Sequence, residues 1–108
     1  MGVDVTASVV KPSVVAEGNG YYLARDPWEH LVGANREWTK QVVKASDLRA
    51  RLTEAQAMVD TWPDVWKNGD PVPSAYERER FKDELMEFVE RCEEAETEYG
   101  ALTIEVCR

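Results

Sequence analysis

The N-terminal segment alternates apolar and polar side chains, as a half-buried strand does. Val3, Val5, Ala7 and Val9 are its apolar positions, and Asp4, Thr6 and Ser8 lie between them. Further along, two short apolar runs flank Gly18-Asn19-Gly20, a sequence that favours a tight turn. Residues 1–25 are therefore predicted to form strands, with a hairpin at this turn.

A helical pattern follows in residues 27–62. Asp26 and Pro27 are typical of a helix start, and Pro63 is a natural stop. Between them, apolar residues recur at spacings of three and four: Leu31, Ala34, Trp38, Val42, Ala45, Leu48, Leu52, Ala55, Val59 and Trp62. This spacing predicts one long helix over residues 27–62.

After a corner at residues 63–73, the sequence predicts a second helix over 74–99 and a strand over 101–107. Ser74 and Glu77 have the spacing of a capping box, and Gly100 suits a left-handed helix end. The apolar positions of this helix again recur every three or four residues, at Phe81, Leu85, Phe88, Cys92, Ala95 and Tyr99. In the last segment, Leu102, Ile104 and Val106 alternate with polar residues.

These elements predict a single α+β domain over residues 1–108. The expected sheet is small and antiparallel, with two or three strands, and the N-terminal segment pairs with the C-terminal strand. Because the corner is short, the two helices should fold back on each other as a long antiparallel hairpin. The register expected for that hairpin pairs Val59 with Phe81 and Leu48 with Cys92.

The charge of the chain indicates which classes of partner it can bind. The net charge is −8, with eight acids and seven bases in residues 1–62 but thirteen acids and six bases in residues 63–108. Such a chain is repelled by phosphate backbones, so direct binding to nucleic acid is not expected. No apolar run is long enough for a membrane span, no signal-peptide pattern is present, and there are two cysteines, so we expect a cytoplasmic protein.

Most of the negative charge falls on the predicted second helix. Asp83, Glu84, Glu87, Glu90 and Glu94, called the acidic face below, recur at spacings that place them together on the outside of the helix. One interpretation is a solvated surface that is balanced by Lys40, Lys44, Arg49 and Arg51 of the first helix. Two others are a mimic of a nucleic-acid backbone, since the carboxylates repeat about every 4.5 to 6 Å along the axis, and a surface for another kind of basic protein.

The corner contains Trp62 and Trp66, for which two interpretations remain open. Both tryptophans can close the end of the helical hairpin as core residues. Alternatively, Trp66 forms an exposed binding platform with Pro71 and Pro73, so Trp66 joins the acidic face as a candidate partner-binding residue. A calcium loop is not expected, because aligning Gly69 with the turn glycine places Trp66 and Ala75 where oxygen ligands are required.

The sequence offers little for catalysis. His30 is the only histidine, and Cys92 lies on the apolar side of its helix, where burial makes a thiol unreactive. Cys107 points to the other side of the last strand, and no phosphate-binding glycine loop or nucleophile motif is present. We therefore predict no enzymatic activity, no catalytic residue, no metal and no cofactor.

The leading functional hypothesis is a non-enzymatic protein-binding module. It would be a small acidic inhibitor or adaptor that presents the acidic face to a basic partner, and a phage or mobile-element protein that mimics nucleic acid is one version of it. The alternative is a structural subunit whose helical hairpin mediates oligomerisation, with Trp38, Gln41 and Val42 extending the contact. A homodimer belongs to that alternative.

Overall fold

The computed structural model describes residues 2–34, 38–63 and 75–108. It is an α+β structure in which three helices pack on a four-stranded antiparallel sheet. The elements are β1 (Gly2–Ser8), β2 (Val14–Tyr21), a 3-10 turn (Tyr22–Ala24), α1 (Arg25–Val32), β3 (Lys40–Val43), α2 (Ala45–Asp60), α3 (Ala75–Tyr99) and β4 (Leu102–Cys107).

The strands lie in the order β2-β1-β4-β3, with every neighbouring pair antiparallel. The predicted pairing of the N-terminal segment with the C-terminal strand is confirmed, since Val5 lies opposite Val106 and Ala7 opposite Ile104. The prediction of two or three strands is wrong, because β3 adds a fourth at the edge of the sheet.

The two faces of the sheet follow the period-2 pattern of the sequence. Side chains on the inner face are buried beneath the helices, among them Val3, Val5, Leu102 and Ile104. The alternate residues carry polar side chains on the outer face. Asp4, Glu17, Asn19, Glu105 and Cys107 are exposed there.

The predicted turn at Gly18-Asn19-Gly20 is wrong, because these residues lie within β2. The chain reverses instead between β1 and β2, where Val9 N–H donates to Ser13 O at 2.9 Å and Ser13 has a φ of 108°. The glycines serve packing rather than turning. A Cβ on Gly18 would lie 2.3 Å from a ring carbon of Trp28, so only glycine lets α1 approach the strand this closely.

The long helix predicted over residues 27–62 is also wrong. α1 begins at Arg25 and ends at Val32, where Gly33 adopts a φ of 72° and donates its N–H to the carbonyls of Glu29 and His30. The chain then forms β3, and α2 begins only at Ala45. Gly33 ends α1 because glycine adopts the left-handed conformation readily. Val42 and Val43 are β-branched, so they favour a strand paired with β4 over a helix.

The second predicted helix and the final strand are confirmed. α3 spans Ala75–Tyr99 and ends at Gly100, which has a φ of 98°. α2 and α3 run antiparallel: Ala45 N–H donates to Glu96, and Gln56 donates to the carbonyl of Lys82. Among the described helices, none combines the length and the apolar character needed to cross a bilayer.

Candidate protein-binding surface

The acidic face lies along the exposed side of α3. Asp83, Glu84, Glu87, Glu90 and Glu94 are all exposed. The residues that alternate with them along the helix are buried in the core, namely Leu85, Phe88, Val89, Cys92 and Ala95. The sequence therefore placed these five carboxylates on the correct side of the helix, and packing of the opposite side fixes their positions.

Local cations neutralise part of the acidic face. Arg91 lies 2.6 Å from Glu87, and Arg80 lies 4.0 Å from Glu84, each one turn away on α3. Asp83, Glu90 and Glu94 have no ion pair within 4.0 Å in the part of the chain that the structure describes. Three exposed carboxylates on one side of a helix thus lack a close ion pair in this part of the chain.

Other acids of α3 face α2 and have structural roles. Arg49 donates two hydrogen bonds to Glu93, at 2.6 and 3.0 Å, and these hold the pKa of Glu93 below its usual value. Glu96 Oε2 accepts the N–H of Ala45 at 2.9 Å, which satisfies a free amide at the start of α2. These contacts stabilise the helical pair and leave the acidic face outside it.

The proposed balance by four cations of the predicted first helix is only partly found. Arg49 pairs with an acid of α3, but that acid is Glu93 rather than a member of the acidic face. Arg51 instead donates to the carbonyl of Leu31 at 2.9 Å. Lys40 lies in β3 and Lys44 precedes α2, and neither makes an ion pair among the described residues.

A groove that the sequence did not predict opens beside the acidic face. It lies between residues 16–19 of β2 and the side of α3, has a volume of about 230 Å³, and is called the β2–α3 groove below. Its lining residues are Ala16, Glu17, Gly18, Asn19, Trp28, Glu84, Glu87, Phe88 and Arg91. Two members of the acidic face therefore form one wall of a concave site.

Trp28 forms part of the groove lining and anchors the core beneath it. Its side chain is 1% exposed, and its ring contacts Phe88 and Phe81 edge to face with centroid distances of 5.2 and 6.2 Å. The indole N–H has no acceptor among the described residues. Gly18 and Gly20, two positions apart on a strand, are the sequence signal that could have indicated this close packing.

The remaining predicted candidates belong to the corner. Trp66, Pro71 and Pro73 lie outside the described residues, as does the corner from residue 64 to residue 74. Trp62 is partly buried, and its ring lies 5.6 Å from that of Phe81 (between centroids) at an interplanar angle of 33°, in agreement with its interpretation as a core residue.

The reactive side chains are poorly placed for catalysis. His30 Nε2 lies 2.9 Å from Glu54 Oε2 without the alignment of a hydrogen bond, and Glu54 is 77% exposed. Burial raises the pKa of the Cys92 thiol to about 12, and a hydrogen bond to Glu105 raises the pKa of Cys107. Within residues 2–34, 38–63 and 75–108, no three His, Cys, Asp or Glu side chains converge as metal ligands.

Comparisons of the chain with protein-family models, with curated proteins and with solved structures find no match.

Proposed function

We propose that this protein is a non-enzymatic binding module that presents the acidic face of α3 to a basic surface on a protein partner. One observation carries the proposal. Asp83, Glu90 and Glu94 are exposed and make no ion pair within 4.0 Å among the described residues, on a 25-residue helix whose other side is fixed by packing. Like charges held close together on a helix repel one another and destabilise the fold. A bound basic partner would relieve this repulsion, and the relief would contribute to the free energy of binding.

The proposal includes inhibition of a nucleic-acid-binding protein as its narrower form. The carboxylates of the acidic face repeat about every 4.5 to 6 Å along the helix axis and so offer a regular row of negative charge to a groove built for phosphates. The proposed setting is the cytoplasm, where such partners are abundant.

The test compares two triple variants of equal charge. Asp83→Asn/Glu90→Gln/Glu94→Gln removes the three unpaired charges of α3, while Asp4→Asn/Asp47→Asn/Glu105→Gln removes three exposed charges elsewhere. The partner is captured from extract of the native host at low salt and then purified, and its Kd for wild type and both variants is measured at two salt concentrations. We expect the α3 variant to lose at least tenfold more affinity than the control, and wild-type binding to weaken steeply with salt.

Two results would reject the proposal: equal losses in the two variants, or an affinity that does not depend on salt. The narrower form is tested separately with duplex DNA as competitor. A nucleic-acid-binding partner should release the wild-type protein when DNA is added, whereas a partner that is merely basic should keep it.

A second candidate function is self-association, and the edge strand β3 favours it. Val106 N–H donates to Thr39 O at 2.7 Å, so by the alternation of antiparallel pairs the backbone groups of Lys40 and Val42 face away from β4. Val42 is also 66% exposed. Such an edge can pair with a second copy, and this contact differs from the helical one expected from the sequence.

Light scattering over a range of concentrations tests this candidate. If β3 pairs with its copy, Val42→Lys should yield a monomer, while Val10→Lys, in a turn where Val10 is 94% exposed, should leave the mass unchanged. A wild-type protein that remains monomeric at all concentrations would exclude self-association.

A further inference from the structure

We propose that the β2–α3 groove is a subsite for one arginine side chain of the basic partner. The inference rests on the proposed function, because two residues of the acidic face, Glu84 and Glu87, form one wall of the groove. It specifies the chemical group of the partner that is recognised. It also extends the binding surface to a second element, β2.

The charges of the lining favour a cation. Glu17 on the β2 side and Glu84 and Glu87 on the α3 side contribute three carboxylates, and Arg91 is the only cation among the described residues of the lining. Arg91 already pairs with Glu87 at 2.6 Å. Its presence shows that this wall accepts a guanidinium. Glu17 makes no ion pair within 4.0 Å among the described residues, and Glu84 makes only the long 4.0 Å pair with Arg80, so these two carboxylates can receive a second guanidinium.

The size of the groove limits the ligand to a single side chain. A volume of about 230 Å³ lies below the roughly 300 to 1,000 Å³ of sites that enclose cofactors and drug-sized molecules. A helix or a base pair does not fit. A long basic side chain that projects from a partner surface does.

Arginine suits this groove better than lysine for two reasons. Its planar guanidinium has five N–H donors and can bond to more than one carboxylate, whereas an ammonium group is a compact and strongly hydrated point charge. The floor is also partly aromatic, formed by Trp28 and Phe88, and a guanidinium is more easily desolvated against aromatic rings than an ammonium.

Trp28 adds an observation that is independent of the acids. Its indole N–H is a buried donor that lacks an acceptor among the described residues, and the side chain is 1% exposed and part of the lining. A buried donor without an acceptor destabilises the protein. The guanidinium carries only donors and pairs with the acids, so a backbone carbonyl of the ligand is the group that can accept from the indole.

The test uses N-acetyl-arginine amide as the probe and the uncharged N-acetyl-citrulline amide as its matched control. Each is titrated into ¹⁵N-labelled full-length protein, and the signals of the Gly18 amide, the Asn19 amide and the Trp28 indole are followed by NMR. We expect saturable shifts of these signals with the arginine probe, no shifts with citrulline, and loss of the shifts at high salt. N-acetyl-lysine amide should bind more weakly than the arginine probe.

Two variants with the same change of charge on the same helix locate the site. Glu84→Gln removes a carboxylate of the groove wall and should weaken the arginine probe roughly threefold to fivefold. Glu98→Gln removes another exposed carboxylate of α3, which lies outside both the groove and the acidic face, and should leave binding unchanged. Thermal melting of both variants checks that the fold is retained.

The inference is overturned if the arginine probe causes no shifts at the groove, if Glu98→Gln weakens binding of the probe as much as Glu84→Gln does, or if the lysine probe binds as tightly as the arginine probe. These failures are separable from failure of the proposed function. The function is retained and the subsite rejected if three results coincide. The Asp83/Glu90/Glu94 variant loses the partner, Glu84→Gln binds the partner as wild type does, and the arginine probe does not bind. If the groove binds the arginine probe but the protein has no salt-sensitive partner, the subsite is retained and the proposed function is rejected.

Discussion

At the scale of single residues, two glycines decide how closely α1 approaches the sheet. Gly18 and Gly20 occupy inward-facing positions of β2, opposite Val5 and Val3 of β1. An added Cβ on Gly20 would lie 2.7 Å from the carbonyl oxygen of Ala24, and one on Gly18 would collide with the ring of Trp28. The space that other strands fill with their own side chains is filled here by Trp28.

Gly18→Ala should therefore destabilise the protein. The new methyl group would lie 2.3 to 2.7 Å from three ring carbons of Trp28, and overpacking of this kind costs about 1 to 3 kcal/mol. Urea unfolding measures the free energy, with Glu17→Ala at the adjacent exposed position as a control that should change it by less than about 0.5 kcal/mol. Wild-type stability in Gly18→Ala would mean that α1 does not press against this strand.

The two thiols should differ in reactivity for reasons that the structure supplies. Cys92 is fully buried with a pKa of about 12, while Cys107 is exposed but its pKa is raised by its hydrogen bond to Glu105. In the native protein at about pH 8, a disulfide reagent should modify Cys107 alone and slowly, and faster as pH rises, since the thiolate is the reactive form. Cys92 should react only after unfolding in urea.

Glu105→Gln tests the cause of the slow reaction at Cys107. Removing the carboxylate lowers the pKa of the thiol, so more thiolate is present at about pH 8 and labelling should accelerate. Cys107→Ser supplies the control, because it should leave no reactive thiol in the folded protein. Equal labelling rates for the two cysteines of the native wild type would contradict the burial of Cys92.

At the scale of elements, the sequence predicted α3 and β4 but not the break between α1 and α2. In α3, an uninterrupted helical period, a capping box and Gly100 all indicate the same element. Between residues 33 and 44, the spacing of Ala34, Trp38 and Val42 continued the helical pattern by coincidence, and Val42 is an exposed strand residue. The edge of β4 that pairs with β3 is sixty residues away, so no local pattern could reveal it.

The same distinction explains which parts of the candidate site were predicted. The acidic face depends on one helix and its period, so it was visible in the sequence. The β2–α3 groove depends on β2 lying beside α3, a contact between residues more than sixty positions apart. Glu17, Asn19 and Arg91 were therefore missed as site residues, although Gly18 and Gly20 signalled a close approach in this strand.

Arg51 links α2 to the end of α1, so its removal tests whether this contact stabilises the arrangement of the two separate helices. Arg51 Nε donates to the carbonyl of Leu31 at 2.9 Å, which satisfies a free carbonyl in the last turn of α1 and places a cation at its negative end. Arg51→Ala should cost about 1 to 2 kcal/mol in urea unfolding. Arg80→Ala, which removes only the exposed 4.0 Å pair with Glu84, should cost less than about 0.5 kcal/mol. Equal costs would show that the contact with α1 contributes nothing.

At the scale of the whole molecule, the negative charge destabilises the fold but favours the proposed binding of a basic partner. The net charge of −8 and the like-charged neighbours along α3 repel one another in the free protein, at a few tenths of a kcal/mol for each pair. Added salt screens this repulsion and should stabilise the fold. The same salt should weaken the complex with a basic partner, so the two effects have opposite signs.

Thermal melting at about 20 and 300 mM NaCl tests the first effect without any partner. The wild-type Tm should rise by a few degrees, because relief of about 0.5 to 1 kcal/mol of repulsion corresponds to that shift in a domain of this size. Asp83→Asn/Glu90→Gln/Glu94→Gln should melt higher than wild type at low salt and respond less to salt, whereas the Asp4/Asp47/Glu105 control should keep most of the wild-type response. If all three proteins respond equally to salt, the repulsion is spread over the molecule and α3 does not concentrate it. If the α3 variant alone loses the response, the three carboxylates are held at a cost to the fold that binding of a basic partner would relieve.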